Sequence, residues 1–258
     1  MLRASGRART ARSVDYSVRI VHRRFWADSM HAPDSYHART AFWAAQSWHS
    51  GYLRRCYRWA LARVLADPKA PLHAPGARVL LCGTGSARTT RTFLDTLAEH
   101  GLRPEVYVVD IAEEALARSR EVVREDERVR FLQADARQLP LPDASFALVE
   151  TDFLLQLIPP RDRAAVVGGW ARVLTPGGAV TTRDWVHEDM SPTALERGMD
   201  TLRLALLRRS LGVPVHALAR TEVETLFSEA GLRMELHPLR LPGTPVHLPL
   251  LNAILGWR

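Results

Sequence analysis

The sequence predicts an α/β protein built on a parallel sheet, and three observations predict it. Short apolar runs alternate along the chain with longer segments of helical character. Two of those runs end on chemistry-bearing residues: residues 79–82 stop at Gly83-Thr84-Gly85, and residues 106–109 stop at Asp110. A third run, 129–132, is followed by Asp135, a fourth opens at Phe146, and Leu174-Thr-Pro-Gly-Gly178 precedes a fifth. A single Gly-x-Gly is common in loops, whereas the ordered set is specific.

The elements follow in order. Residues 19–30 and 34–48 have helical character, with Asp34 as N-cap. Residues 51–66 form a better helix, because Leu53, Tyr57, Ala60 or Leu61, and Val64 share one face. Residues 67–76 are a linker with three prolines and a glycine. Strands are then predicted at 78–82, 105–110, 129–133, 146–151 and 178–184, with helices at 89–100, 112–124 and 161–174 between them. An inserted helix follows at 193–210. The next helix, 221–230, takes Thr221 as N-cap with Glu224 completing a capping box, and Gly231 ends it. Two last strands fall at 233–240 and within 247–257, where Pro249 disfavours a central position. The chain thus divides into a basic, disordered tail (1–15), a helical extension and linker (16–76) and a sheet domain (77–258) with its inserted helix near 190–212.

Charge is unevenly spread. Of the 35 basic and 28 acidic residues, residues 1–63 hold 12 arginines against Asp15, Asp28 and Asp34, a balance of +9; the rest holds 23 against 25, or −2. A basic extension can attract phosphates, anionic lipid or acidic peptides. Lys69 is the sole lysine, so the arginine excess also reads as genomic composition, and nucleic acid is disfavoured as a partner. Cys56 and Cys82 are too few for a disulfide framework, and no His/Cys cluster has metal-ligand spacing, so no metal is predicted. No apolar run approaches the roughly 18 residues of a membrane span, and a cytoplasmic protein is the expectation.

A strand that stops at a glycine turn lets bare backbone approach a ligand. A carboxylate ending the neighbouring parallel strand can accept two hydrogen bonds from a ribose diol. The residues therefore specify a pocket for an adenosine-type group between Gly83–Gly85 and Asp110. A dinucleotide site would want a third glycine at position 88, which is Arg88. With these residues in place the chain resembles the class I S-adenosylmethionine-dependent methyltransferases over about residues 77–241. The resemblance rests on Leu81-Cys-Gly-Thr-Gly-Ser-Ala87, Asp110 within Val-Val-Asp-Ile, Gln-Ala-Asp-Ala136 and Arg172-Val-Leu-Thr-Pro-Gly-Gly178. It implies a seven-stranded, mostly parallel sheet with helices on both faces, and S-adenosylmethionine as cofactor. It further implies cofactor contacts from Cys82, Gly83, Thr84, Gly85, Asp110, Ile111, Asp135, Ala136 and Glu150. Leu81 and Ala87 stand where many members carry an acid and a glycine.

The substrate is expected beyond Glu150–Phe153 and Asp184–His187, under the extension and the inserted helix. Trp43, Phe153 and Asp184 are its pocket residues. Ten of the chain's 19 aromatic residues lie between Tyr16 and Trp59 and supply apolar walls. Methyl transfer from a sulfonium needs alignment, exclusion of water and, for a protonated nucleophile, a base. His31, His37, His49, His187, His216, Glu150 and Asp152 are candidates, and His187, just past strand five, is best placed. No Asn/Asp-Pro-Pro-aromatic motif follows strand four, and neither cysteine sits in that loop, which argues against methylation of nucleic-acid bases. The leading reading is O- or N-methylation of a small apolar or aromatic metabolite. An RNA or peptide methyltransferase docking through the basic extension, and a binding protein with a decayed cofactor site, stay open as alternatives.

Overall fold

The computed structural model describes residues 47–124, 126–187, 194–240 and 247–258. The helix expected at 19–30, Trp43, and all but the last two residues of the helix expected at 34–48 lie outside them.

The apolar runs become strands because helices cover both of their faces. β1 (Arg78–Cys82) is buried from Val79 onward. Its side chains alternate: Val79 and Leu81 join Leu53, Tyr57, Leu61, Phe93 and Leu97 on one face, while Leu80 and Cys82 join Val166, Val167, Trp170 and Phe227 on the other. The first face is covered by α1 (Ser47–Val64), α2 (Ala87–Glu99) and α3 (Glu113–Val122). The second is covered by α4 (Pro160–Val173) and α6 (Arg220–Glu229). Between these two in the chain lies α5 (Ala194–Leu211).

β2 (Glu105–Asp110), β3 (Val129–Gln133), β4 (Phe146–Thr151), β5 (Leu174–His187), β7 (Arg233–Arg240) and β8 (His247–Trp257) complete the main sheet in the order β3-β2-β1-β4-β5-β8-β7. β3 through β5 run parallel, and β8 pairs antiparallel with both β5 and β7. The main path holds the seven strands anticipated; an eighth, β6 (Leu218–Ala219), pairs with Val186 and His187 at the far end of β5. The order reverses at β1, which has β2 on one side and β4 on the other. Such a switch point opens a crevice at the carboxyl ends of the strands.

Three expectations change. β5 begins at Leu174, not at 178, because Leu174 pairs with Phe146 before a register shift brings Ala179 opposite Leu148. Gly178 tolerates no side chain there, since a Cβ would lie 2.9 Å from the Thr175 carbonyl oxygen. α6 is capped at Ala219, with no side-chain cap bond, so Thr221 is not its N-cap. β6 holds the chain extended up to Ala219, and the helix starts directly after it. Glu224 accepts from Arg220 Nε at 2.9 Å instead of closing a capping box. Pro249 is accommodated because it falls between the Arg240↔His247 and Pro238↔Asn252 pairs, where the register is irregular.

Candidate functional site

At the switch point β1 runs into Gly83-Thr84-Gly85. Gly83 and Gly85 have φ of +72° and +58°, which favours glycine at both. Gly83 N donates to the Val109 carbonyl at 2.8 Å, carrying the β1–β2 ladder into the turn. Thr84 is buried, and its Oγ1 lies 2.5 Å from Thr90 Oγ1, which donates to Ser119 Oγ at 3.1 Å. That chain ties the turn to α2 and α3. Ser86 caps α2 by accepting from Thr89 N at 3.2 Å.

The Asp110 carboxylate closes the corner from β2. One oxygen accepts from Gly85 N at 3.3 Å, the other from Ala112 N at 3.0 Å. Its main-chain oxygen accepts from Ala134 N at 3.1 Å, which draws in the segment carrying Asp135 and Ala136. A Cβ on Gly85 would meet nothing within 4 Å, so the turn faces open space there. Ile111, next to Asp110, is 41% exposed although it is large and apolar. Asp135 caps the 3₁₀ turn Ala136–Gln138 by accepting from Arg137 N at 2.9 Å. It is also bridged by Arg137 Nη2 at 2.5 Å, and Arg137 reaches on to Asp162 of α4 at 3.2 Å. Gly83, Thr84, Gly85, Asp110, Ile111, Asp135 and Ala136 thus gather at one corner.

Cys82 enters that corner only through its backbone. Its thiol is buried among Leu80, Val109 and Trp170 and pushed up to about 12 by burial, so it is inert. Glu150 is also withdrawn. It stands beside Leu81 in the β1–β4 register, buried, with one oxygen on Arg183 Nη2 at 2.5 Å and the other accepting from Thr181 Oγ1. Arg183 also donates to Asp152 at 3.0 Å and to the Thr151 carbonyl at 3.0 Å, and its guanidinium lies 4.5 Å from the centre of the Tyr57 ring. Burial pushes Glu150 up to about 7 against the pull of Arg183 and Thr181. The two carboxylates hold Arg183 protonated. Sequence reasoning missed Arg183. Its signal was a lone cation inside an apolar strand, level with acids at 150 and 152 on the next strand.

Beyond this cluster Phe153 adopts φ +57°, donates its N–H to the Arg183 carbonyl at 2.8 Å and packs against Leu211, Val213 and Val215. Asp184 points to the opposite sheet face from Arg183 and is fully buried, with Oδ2 accepting from Thr182 Oγ1 at 2.6 Å. Burial pushes its carboxyl up to about 7. His187 ends β5, partly buried and paired with Ala219. His216 donates its N–H to the Gln156 carbonyl at 2.8 Å, and burial followed by Arg163 lowers its ring below the usual range. Asp152, Phe153, His187 and His216 therefore belong to the region beyond β4 and β5, whereas Glu150 and Asp184 turn inward.

The reversed strand order and the glycine turn place the chain in the Rossmann-like α/β class. A family model described as a methyltransferase domain matches residues 79–178. The phosphatidylethanolamine N-methyltransferase of Cereibacter sphaeroides is 34% identical over 145 residues, covering 54% of this chain and 67% of that protein. The tRNA N(3)-cytidine methyltransferase METTL2 of Gallus gallus is 29% identical over 161 residues, 60% of this chain but 43% of its own length. This chain therefore spans less than half of that relative. Among solved structures, the methyltransferase complexed with the Trm112 activator of Haloferax volcanii aligns with a TM-score of 0.59 at 17% identity, over 84% of this chain and 96% of that one. At that identity the likeness concerns the fold. The chain belongs to the class I S-adenosylmethionine-dependent methyltransferases.

Proposed function

We propose that this protein transfers the methyl group of S-adenosylmethionine to an oxygen or nitrogen atom of a small apolar or aromatic metabolite. The observation that carries the cofactor half is the Gly85–Asp110 corner at the switch point, glycine-lined on one side and closed by a carboxylate on the other. The corner fits an adenosine group. The Asp110 carboxylate, oriented by the Gly85 and Ala112 N–H groups, is the acceptor we assign to the ribose hydroxyls. Ile111 offers an apolar surface to the adenine ring, Asp135 and Ala136 bound its polar edge, and Cys82, Gly83 and Thr84 contribute main chain. Glu150 acts at one remove, through Arg183, with Asp152 as the outermost carboxylate of the cluster.

When bound, the cofactor supplies an activated methyl. The protein's part is to orient the acceptor in line and exclude water. Phe153 and Trp43 are assigned to the acceptor pocket and His187 to receiving the acceptor's proton; Asp184, expected there from the sequence, is fully buried against Thr182 and is not assigned to it. The two cysteines, both free and buried, agree with a cytoplasmic location. A second reading has its own support. The tRNA relative and the +9 balance of residues 1–63 favour an RNA acceptor held by the basic extension.

Titration calorimetry with S-adenosylmethionine tests the first half. Asp110→Ala is expected to weaken binding by about 1–3 kcal/mol, for the loss of two hydrogen bonds to a charged group. No heat from the wild-type protein at high micromolar ligand contradicts the reading. RNA binding that falls about a thousandfold between 50 and 200 mM salt favours the second acceptor class.

A further inference from the structure

We propose that Arg137 is a positioning residue for the cofactor: it fixes the Asp135 carboxylate where a 6-amino purine meets it, and so sets the site's preference for adenine over a 6-oxo purine. The inference rests on the methyl-transfer reading, which puts the adenine beside Asp135 and Ala136. Arg137 lies two residues past Asp135, and its guanidinium closes back on that carboxylate. Nε donates to Oδ1 at 3.0 Å and to Oδ2 at 2.9 Å, and Nη2 donates to Oδ2 at 2.5 Å. The Arg137 main-chain N–H adds a bond to Oδ1 at 2.9 Å. The third side-chain nitrogen, Nη1, donates to Asp162 Oδ2 at 3.2 Å, in the first turn of α4. The bonds to Asp135 raise the guanidinium above its usual range, against the opposing effect of burial. The side chains of Arg137 and Asp162 are 15% and 22% exposed and that of Asp135 is 28% exposed, so the carboxylate is the most open member of the bracket.

The backbone beneath the bracket is fastened as well. Gln138 N donates to the Asp135 carbonyl at 3.0 Å. α4 passes so near that a Cβ on Gly169 would lie 3.7 Å from the Ala136 carbonyl oxygen. Arg172, in the last turn of α4, donates to the Leu139 and Leu141 carbonyls at 2.7 and 2.8 Å. Residues 135–141 are thus strapped along α4 from its first turn to its last.

Fixity is what the preference needs. Adenine offers a 6-amino N–H to a carboxylate, whereas a 6-oxo ring sets an oxygen against it and carries its nearest proton on N1. A carboxylate free to swing can follow that proton. One held in the planar fork of an arginine stays with the 6-position, and the cost of ordering it is met before the ligand arrives.

Titration calorimetry of the full chain with S-adenosylhomocysteine and with S-inosylhomocysteine, its 6-oxo counterpart, tests the proposal. The wild-type protein is expected to prefer the adenosyl compound about thirtyfold, the scale of one hydrogen bond to a charged group. Asp135→Ala should cut that preference to about threefold or less, and Arg137→Met should do the same although Asp135 is still present. Arg137→Lys, which keeps the charge and loses the fork, should also lose most of the preference. A merely structural role for Arg137 would weaken both ligands alike. The ratio of two affinities on one protein is also insensitive to a smaller folded fraction. A preference that vanishes in Asp135→Ala but survives both Arg137 variants overturns the proposal and leaves the cofactor reading intact, as does equal binding of the two compounds by the wild type. Failure of the wild type to bind either compound overturns both.

Discussion

Two buried carboxylates show how burial and pairing divide the chemistry of single residues. Asp184 has no cation bonded to it, and its folded value of about 7 lies above the ordinary 3.8. Between those values the native state keeps a proton that the unfolded state has released. Stability from this group is thus complete below about pH 4 and falls as pH rises through 7. Asp184→Asn should flatten that decline and raise stability at pH 8 by on the order of 2 kcal/mol, measured by urea denaturation across pH. An unchanged slope contradicts the assignment. Glu150 differs because Arg183 answers its charge. Arg183→Met leaves Glu150 buried without its cation and should cost about 3–5 kcal/mol. Adding Glu150→Gln should recover part of that loss, and a double variant no better than the single one contradicts the pairing. These residues also mark where sequence reading stopped. β4 and β5 were legible as strands, but the partner of Glu150 was not, because it lies 33 positions away and only strand register brings the two together.

At the scale of elements, the antiparallel β8 closes the sheet by passing very near α6. A Cβ on Gly256 would lie 2.7 Å from Phe227 Cε1 and 2.9 Å from Val180 Cγ1. Gly256→Ala should therefore destabilise by about 1–3 kcal/mol, the range of overpacked cores. In a Phe227→Leu background the same change should cost less, and equal loss in both backgrounds would place the strain elsewhere. This close approach had no signal in the sequence, where Gly256 reads as a glycine in an apolar run. The parallel half was legible because each strand ends at a residue whose chemistry marks the end: Gly83 for β1, Asp110 for β2. The start of α6 was not, because the pairing of Leu218 and Ala219 with the tip of β5 overrode the local preference of Thr221 for a cap.

For the whole molecule, the reversal of strand order at β1 decides where a ligand binds, and the residues at that point decide what kind. Both were readable as an ordered set of motifs, although each motif alone was weak. The acceptor side was far less readable: the walls we propose for it include α5 and the loop after β4, and no periodicity specifies how these meet. If the corner holds the cofactor, binding stabilises the entire fold by mass action. S-adenosylhomocysteine at 100 times its Kd should then add about 2.7 kcal/mol to unfolding, seen as a rise in Tm that disappears in Asp110→Ala. A crystal structure of the S-adenosylhomocysteine complex tests the central claim most directly. The account predicts both ribose hydroxyls within about 3 Å of the Asp110 carboxylate, and the adenine between Ile111 and the Asp135–Ala136 segment. A ribose seated anywhere else, or a corner filled by the protein's own side chains in the complex, contradicts it.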